Sequence, residues 1–481
     1  RPHTFTQLST MSEQERPSDP KELLALVTET ITSHVADLSG QYEQFGTIQA
    51  ALDGGDDLVA KVISGGCTNF SYKVDLRDGT SPLFAKLCFP YALWNPDPEV
   101  DYSTIRTENE FGMMQKVTQM MDDAPVAVPY LCVDVKNMKL LVTQWACNAD
   151  EQWANQFIDG IVDARPVKKL AQTLALLHCS DFDPEFNNNV RPCMRTIFPA
   201  MKEKLQELVA LPEGEGGRVA ELAKSYGGDV CDLIIDANLA NYEDRDCLVH
   251  SDSHAFNILV EAKPEVSTLE RFGPNGDVIL CDWEMVFAGP IGRDIGLAWS
   301  WPISCLLAHA ISGHAYTVDD SFLGIIEKLW EEYAAVMVDE GGKDEEFLRR
   351  TYKNCIAWAG CFIFLAHYVL KVQVEFLPID DAASEEDKAA LDNAIGVVGL
   401  KLLHLGYIDD EDDGEDLTIE DYREIFRGIL LREIEDLDEL AAAKRKRALR
   451  MSVLRTTQRR VSDAALHFSI NRRKLDVQFQ G

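Results

Sequence analysis

The sequence predicts an α+β protein of two lobes: a small N-terminal lobe with an antiparallel five-stranded sheet plus a helix, and a large, mostly helical C-terminal lobe. Two changes of pattern predict this architecture. Between Leu58 and Trp145, short apolar runs are separated by glycine and aspartate, which is typical of strands joined by turns. Beyond Trp145, apolar residues recur at helical spacing. With 481 residues, 46% of them hydrophobic, the chain can bury a large core.

The small lobe is predicted to begin with a helix. Residues 1–20 are polar and expected to be disordered, whereas residues 21–52 carry apolar residues at helical spacing, a pattern that ends near Gly40. Strand-like runs follow, with a helix from Ile105 to Val117 between the third and the fourth. The five runs are LVAKVI, FSYKVDL, PLFAKLCF, VPYLCVDV and KLLVTQWA.

The large lobe contains the clearest helical pattern, VKKLAQTLALLH, and strand signals return only at LVH, NILV and VILCDW. Residues 409–416 are expected to form a solvated acidic loop, followed by an amphipathic helix from about Ile419 to Leu440 and a basic tail. The predicted divisions are therefore 1–20 (disordered), 21–145 (small lobe), 146–440 (large lobe) and 441–481 (basic tail).

The chain is strongly acidic, with 46 basic against 80 acidic side chains and a formal net charge of -34. This charge repels nucleic acid and anionic membrane surfaces. We therefore expect a small-molecule substrate, with no nucleic acid and no membrane as partner, and we allow for a homodimer.

Cysteine usage bears on location. Twelve cysteines are scattered singly from Cys67 to Cys361 without a C-x-x-C pair, so neither a zinc ribbon nor a disulfide framework is indicated. Reduced thiols favour a cytoplasmic location, with organellar import left open.

Two apolar runs, 295–311 and 355–372, approach the length that crosses a bilayer. Pro302 and His309 interrupt the first run, and His367 and Lys371 interrupt the second. We expect both to be buried helices of the large lobe.

The most informative segment is LVHSDSHAFNILV at 248–260, in which Asn257 follows Asp252 by five positions. Downstream, VILCDWEMVF places Asp282 at the end of an apolar strand. Phosphoryl transfer to a hydroxyl needs a carboxylate beside the nucleophile and oxygen ligands for Mg²⁺. The spacing indicates that Asp252 supplies the carboxylate beside the nucleophile, and that Asn257 and Asp282 supply oxygen ligands for Mg²⁺.

Other interpretations fit single parts of this pattern. An aspartate after a strand is common turn chemistry, and Asp252 could cap a helix. His250, Asp252 and His254 could bind a transition metal, but no further histidine or paired cysteine lies at ligand spacing nearby. The order and spacing of the motifs favour phosphate chemistry.

A nucleotide site is predicted upstream. In VISGGCTNFSYKV, Gly65 and Gly66 lie between two strand-like runs, where a hairpin can bring backbone amides to phosphates, and Asn69 follows them. An ordinary turn is the alternative. The backbone of Gln144 to Ala146, including Trp145, ends the last strand of the small lobe and is the candidate to pair with adenine, with core packing of the tryptophan as the alternative.

Lys86 in PLFAKLCF has the place of the lysine that holds the α and β phosphates, although a lysine in such a strand is often an edge residue facing water. The following helix offers Glu108 and Glu110 as its partner. Only one of them can face the lysine, and we prefer Glu110.

These residues resemble the aminoglycoside phosphotransferase and choline kinase superfamily, and within it most of all the methylthioribose kinases. HSDSHAFNILV resembles that family's H-G-D-L-H loop, and CDWEMVFAGPIGRDIG resembles its D-P-E-F-A-F-Y-G-P-M-G-F-D-I-G segment. The resemblance extends through TLALLH and WAGC to about Tyr407. It implies a protein-kinase-like fold, ATP and Mg²⁺ as cofactors, Asp252 as catalytic base, Asp282 with Asn257 or Glu284 as metal ligands, and Asp294 as a structural brace.

The sequence departs from methylthioribose kinases in the acceptor region. Those enzymes carry a sugar-binding arginine pair shortly after their A-G-C segment, where this chain has Leu365 and Ala366. The remaining candidates for acceptor contacts are Trp299 and Trp301, whose faces could hold a quaternary amine or simply pack in the core, and three polar residues: His254, Arg293 and His367.

The predicted function is an ATP- and Mg²⁺-dependent kinase for a hydroxyl of a sugar-like metabolite. A choline, ethanolamine or other amino-alcohol kinase is the alternative within the same class. A catalytically inactive, kinase-like binding or regulatory module is the alternative from another class.

Overall fold

A computed structural model describes residues 20–63, 69–90, 103–121, 123–146, 151–160, 162–191, 195, 197–261, 278–313, 315–372, 374–379, 383–407, 417–444 and 446. The predicted glycine hairpin at Gly65 and Gly66, the acidic stretch 409–416 and most of the basic tail lie outside these residues.

Two helices precede the sheet, where the sequence pattern indicated one. They are α1 (Pro20–Ser39) and α2 (Glu43–Asp53), separated by a turn at residues 40–42. Ile31 and Val35 of α1 are fully buried and share one core with the sheet, as the helical spacing predicted. The two helices therefore cover one face of the sheet.

The five predicted strands are confirmed and form one antiparallel sheet. The strands are β1 (Leu58–Val62), β2 (Phe70–Leu76), β3 (Leu83–Cys88), β4 (Pro129–Val135) and β5 (Met138–Gln144). Their spatial order is β1-β2-β3-β5-β4, so β3 is the central strand. Lys86 lies opposite Ser71 of β2 and Leu141 of β5, which makes it an interior position of the sheet rather than an edge position.

Helix α3 (Ile105–Met120) connects β3 to β4 and packs against β4. Its apolar residues Met113, Met114 and Val117 are buried, and so are two charged residues, Arg106 and Glu110. Charged side chains are rarely buried without partners, and these two point towards the helical part of the chain.

Helices dominate the large lobe. They are α4 (Trp153–Asp159), α5 (Arg165–Cys179), α6 (Ile197–Ala210), α7 (Gly217–Tyr226), α8 (Gly228–Tyr242), α9 (Arg293–Ile311), α10 (Ala315–Asp339), α11 (Glu345–Phe362), α12 (Glu385–Tyr407) and α13, which spans residues 419–444. Together with the sheet they confirm the predicted two-lobed, protein-kinase-like α+β fold.

Helix α9 is the centre of this lobe. All 19 of its residues are buried, and it packs against α10, α11 and α12. Gly296 permits the close approach to α11, because an added Cβ would lie 2.6 Å from the carbonyl oxygen of Cys355 and from the Cβ of Trp358. The first apolar run of the sequence is thus a core helix.

One helix among the described residues, α12, is long and apolar enough to cross a membrane by length and composition. Of its most apolar window, 67% is buried inside the protein. It is neither of the two runs that the sequence pattern singled out.

Short strands in the large lobe position the loops between the lobes. They are β6 (Glu151–Gln152), β7 (Cys247–Val249), β8 (Ile258–Val260), β9 (Val278–Leu280) and β10 (Phe287–Gly289). β7 pairs with β10, and β8 pairs with both β6 and β9. The loop from β7 to β8 contains Asp252, and the turn after β9 contains Asp282.

Candidate active site

The loop that contains Asp252 is hydrogen-bonded to Asp294, the second residue of α9. The backbone N–H groups of His250 and Ser251 donate to the two carboxylate oxygens of Asp294, each at 2.7 Å. Asp294 is fully buried, and Nε2 of His178 lies 3.0 Å from it. Burial alone would raise the pKa of Asp294, but His178, His250 and the hydrogen bond from the N–H of Ser251 together lower the pKa below its ordinary value.

Ser251 has a left-handed backbone, with φ at 71°. This conformation favours glycine, since a Cβ crowds the carbonyl oxygen there. Its side chain offers a compensating contact, because Nε of Arg293 donates to Oγ of Ser251 at 2.9 Å. Arg293 also donates to the Ser251 carbonyl at 3.1 Å, so this arginine fixes the loop from behind.

The carboxylate of Asp252 is oriented by two neighbours. Nδ2 of Asn257 donates to Oδ2 of Asp252 at 2.7 Å and to its carbonyl at 2.9 Å. Nε2 of His254 lies 3.4 Å from Oδ1. The side chain of Asp252 is 30% exposed, so the carboxylate is held in place and remains accessible.

Lys86 joins the two lobes. Its Nζ lies 3.0 Å from Glu110 of α3, 2.5 Å from Asp282 after β9, and 3.2 Å from Glu284. Burial alone would lower the pKa of Lys86, but Asp282, Glu110 and Glu284 together raise the pKa well above its ordinary value. The structure brings Glu110 rather than Glu108 to the lysine; Glu108 pairs with Lys139 instead.

Glu284 is enclosed by cations and amides. Its side chain is 2% exposed; Nδ2 of Asn69 donates to Oε2 at 2.8 Å, and Nε of Arg106 donates to the same oxygen at 3.3 Å. Arg106 also donates to Oδ1 of Asn69 at 3.0 Å. Asn69 therefore takes part in a contact between the lobes, and its predicted role at the nucleotide stays a prediction.

Negative charge exceeds positive charge in this cluster. Oxygen atoms of Glu110, Asp282 and Glu284 lie within 4.8 Å of one another, and the facing cations are Lys86 and Arg106. The pKa of Glu110 is raised to about 7, mainly by burial and further by Asp282 and Glu284, with Lys86 opposing. The chain folds with surplus carboxylate charge at the junction of its lobes.

The donor set of the cluster fits a divalent cation of the Mg²⁺ type, which prefers carboxylate and amide oxygens. Asp282 is the most exposed of the three carboxylates, at 33% for its side chain against 4% for Glu110 and 2% for Glu284. Asn257 lies next to it, because the N–H of Cys281 donates to the Asn257 carbonyl at 2.8 Å. Asp282 is therefore the accessible carboxylate of the cluster, and metal binding by Asp282, Asn257 and Glu284 stays a prediction.

The segment between the lobes begins at Gln144. Its N–H donates to the Val128 carbonyl at 2.8 Å, so this particular group is already engaged. Lys73 lies over the ring of Trp145, 5.1 Å from its centroid. Pairing of Trp145 or Ala146 with adenine stays a prediction.

Two of the proposed acceptor contacts are core residues. Trp299 and Trp301 are each 1% exposed. Trp299 packs on Tyr352 and Phe426, and Nε1 of Trp301 donates to the Ala154 carbonyl at 3.2 Å. Both tryptophans therefore pack in the core, which was the alternative to ligand binding, because neither ring presents a face to solvent.

Sequence reasoning missed Arg106 and Asn187. Nδ2 of Asn187 donates to the carbonyls of Glu284 and Val286, at 3.2 and 2.6 Å. Arg106 was detectable: it precedes Glu110 by one helical turn, so both side chains face the same way. Asn187 left no comparable signal, because its contact partners lie about one hundred residues away.

Comparison with known proteins gives only distant similarity to solved structures. No protein-family model matches the sequence, and no curated protein matches it. Among solved structures, an aminoglycoside-3'-phosphotransferase of type VIII is 17% identical, with 65% of this chain and 98% of that one covered and a TM-score of 0.31.

Two further solved structures show similarly low identity and TM-scores. An aminoglycoside phosphotransferase of the 3''-Id type from Streptomyces rimosus, in complex with ADP and streptomycin, is 13% identical over 64% of this chain and 96% of that one, with a TM-score of 0.31. A putative fructosamine-3-kinase from Haemophilus somnus is 12% identical over 63% and 93%, with a TM-score of 0.29.

Proposed function

We propose that this chain is a Mg²⁺- and ATP-dependent kinase that phosphorylates a hydroxyl of a small molecule. The supporting observation is the meeting of Lys86 and Glu110 from the small lobe with Asp282 from the large lobe. Asp252 is linked to Asp282 through Asn257, whose Nδ2 donates to Asp252 at 2.7 Å and whose carbonyl accepts from the N–H of Cys281, the residue before Asp282, at 2.8 Å.

Asp252 is the proposed base. The acceptor hydroxyl donates a hydrogen bond to this carboxylate, which Asn257 holds at 2.7 Å. The hydroxyl oxygen then attacks the γ-phosphorus, the bond to the bridging oxygen breaks, and the hydroxyl proton passes to Asp252 while ADP leaves. Such a loose transition state needs positioning more than strong basicity.

Lys86 and the acidic pair have complementary roles in this proposal. Lys86 holds the nucleotide phosphates, and Glu110 fixes the lysine from 3.0 Å away. Asp282 and Asn257 would hold Mg²⁺, which when bound neutralises charge on the phosphate oxygens. Glu284, which is hydrogen-bonded to Asn69 and Arg106, would help to orient Lys86 from 3.2 Å away.

The acceptor class in the proposal is a sugar-like metabolite. Leu365 and Ala366, where methylthioribose kinases carry arginines, are 4% and 6% exposed. An apolar pair of this kind cannot replace the charged contacts. This chain would therefore bind its acceptor through other contacts than a methylthioribose kinase uses. A cytoplasmic location and a homodimer belong to the same proposal as expectations.

The test is ATP consumption with methylthioribose, choline, ethanolamine and simple sugars, followed by mass identification of the product. Asp252→Asn should lower turnover by at least about a thousandfold while nucleotide binding persists. Asp159→Asn, at an exposed position of α4, is the matched control. Nucleotide binding without transfer to any acceptor would instead support the inactive module.

A further inference from the structure

Two lysines of the small-lobe sheet point towards helix α3. Lys86 of β3 lies opposite Leu141 of β5, and Lys139 of β5 lies opposite Cys88 of β3. Side chains alternate between the two faces of a strand, and residues directly opposite each other share a face. Lys86 and Lys139 therefore lie on the same face of the sheet, and each of them meets a glutamate of α3 there.

The two glutamates leave α3 in different directions. Nζ of Lys86 lies 3.0 Å from Oε2 of Glu110, whereas Lys139 forms an ion pair with Glu108. Because successive residues of an α-helix are about 100° apart around its axis, these two side chains are about 200° apart. Two ion pairs on nearly opposite sides of a helix oppose its rotation about the axis, which one pair alone does not.

The other polar contacts in this part of α3 do not replace the pair of Glu108 with Lys139. Arg106 and Asn109 bind the large lobe. The sheet supplies the thiol of Cys132, which donates to the Thr107 carbonyl at 3.8 Å, and a thiol is a weak donor. Lys139 therefore supplies a charged contact that fixes α3 relative to the sheet that holds Lys86.

Lys139 is itself firmly held. Its side chain is 7% exposed, and its Nζ lies 2.8 Å from Oδ1 of Asp134 in β4 in addition to its contact with Glu108. A buried charge is costly without partners, so the ammonium retains its carboxylates. Glu108 is 54% exposed, and its position depends on this lysine more than on packing.

The position of Glu110 decides where the ammonium of Lys86 lies. That ammonium is 3.0 Å from Glu110 and 2.5 Å from Asp282. If α3 turned and Glu110 withdrew, Lys86 would be left with Asp282 and Glu284 of the large lobe. The lysine would then be drawn to the accessible carboxylate to which the proposed function assigns Mg²⁺, and away from the nucleotide phosphates.

We propose that Lys139 is a positioning residue for Lys86: through Glu108 it holds α3 in the rotation that brings Glu110 to Lys86. The inference rests on the proposed function, in which Lys86 holds the nucleotide phosphates. Lys139 acts on nucleotide binding, so its loss should raise the Kd for ADP and the KM for ATP and leave the KM for the acceptor unchanged.

ADP titration in the presence of Mg²⁺ tests the pair. Lys139→Met and Glu108→Gln should each weaken ADP binding about three- to fivefold, and the double variant should be no weaker than either single variant. Asp134→Asn is the matched control, because it removes the other partner of the same lysine without touching α3; its affinity should stay within about twofold of the wild type. Reduced stability with unchanged ADP affinity in Lys139→Met and Glu108→Gln would overturn the proposal.

Two further variants test the route through Glu110. Glu110→Gln should weaken ADP binding, and adding Lys139→Met to it should weaken binding no further, because Lys139 acts through Glu110. An additional loss of about threefold or more would overturn that route. Lys139→Arg keeps the charge and should bind ADP within about twofold of the wild type, whereas a loss as large as that of Lys139→Met would contradict the ion pair.

The reactivity of Lys86 gives a readout that needs no nucleotide. A lysine that has lost a carboxylate partner gives up its proton more readily. Mass spectrometry after brief treatment with acetic anhydride should therefore show Lys86 acetylated at least about threefold faster in Lys139→Met than in the wild type or Asp134→Asn. Equal rates would overturn the proposal. Failure of the wild type to bind ADP would overturn the proposed function, while the ratio of acetylation rates would still decide the role of Lys139.

Discussion

Nζ of Lys86, in the central strand of the small lobe, lies 2.5 Å from Oδ1 of Asp282 in the large lobe. This ion pair connects a residue that is 7% exposed to one that is 33% exposed, so it reaches from the interior of the sheet to the opening between the lobes. The same lysine neutralises part of a buried acidic cluster. Stability depends on this ammonium group, and in the proposed function nucleotide binding depends on it too.

Lys86→Ala should destabilise the protein. It removes the cation at 3.0 Å from Glu110 and 3.2 Å from Glu284, leaving buried carboxylates without their main partner. The free energy of unfolding should fall by about 3 kcal/mol or more, as for other broken buried ion pairs. Urea unfolding measures the change, and Lys61→Ala, at an exposed position of β1, should shift it by less than about 0.5 kcal/mol.

Arg106 and Glu284 should be energetically coupled. Nε of Arg106 donates to Oε2 of Glu284 at 3.3 Å with both side chains at least 98% buried. A double-mutant cycle with Arg106→Met and Glu284→Gln should give an interaction energy of about 1–3 kcal/mol. Purely additive effects on the free energy of unfolding would contradict a direct contact between the lobes at this pair.

Ser251 should tolerate glycine better than alanine. Both substitutions remove the hydrogen bond from Arg293 to Oγ, at 2.9 Å, but only glycine relieves the backbone at φ 71°. Ser251→Ala should therefore be less stable than Ser251→Gly by about 1 kcal/mol. The comparison requires only thermal or urea unfolding of the two variants, and the opposite order would show that the left-handed conformation is not maintained.

His367 should make the protein sensitive to acid. Its pKa is lowered to about 3, first by burial and then by His254, whereas an unfolded histidine titrates near pH 6.5. Between these pH values the unfolded state binds more protons, so the free energy of unfolding falls as the pH decreases. At pH 5 the loss from this residue is about 2 kcal/mol relative to pH 7.

His367→Phe should remove that part of the pH dependence. Urea unfolding of both proteins at pH 7 and pH 5 measures it. A wild-type protein that loses no more stability than the variant between these pH values would show that His367 is not buried as a neutral ring.

The sheet and the order of the site motifs could be predicted from the sequence because they depend on local pattern. Short apolar runs separated by glycine and aspartate give β1 to β5 within one or two residues. The spacing from Asp252 to Asn257 places both residues in one loop. Helical geometry established only that one of Glu108 and Glu110 could face the lysine, since residues two positions apart point in different directions. The preference for Glu110 was decided by the structure.

The missed features depend on contacts between distant segments. The contact of Asn69 with Glu284, 215 positions away, left no signal in the sequence, and the assignment of Asn69 to the nucleotide stays a prediction. Trp299 and Trp301 carry no sequence signal that separates a ligand-binding face from core packing. The segment Ile363–Val369, which contains His367, is a π-helix, and no periodicity of the sequence indicates it.

The central claim is tested most directly by titrating the protein with ADP with and without Mg²⁺, for the wild type and for Asp282→Asn. Because Asp282 is the accessible carboxylate of the acidic cluster, Mg²⁺ should tighten ADP binding at least about tenfold in the wild type and should have little effect in the variant. ADP binding that is equally tight with and without Mg²⁺, and unchanged by Asp282→Asn, would contradict the account.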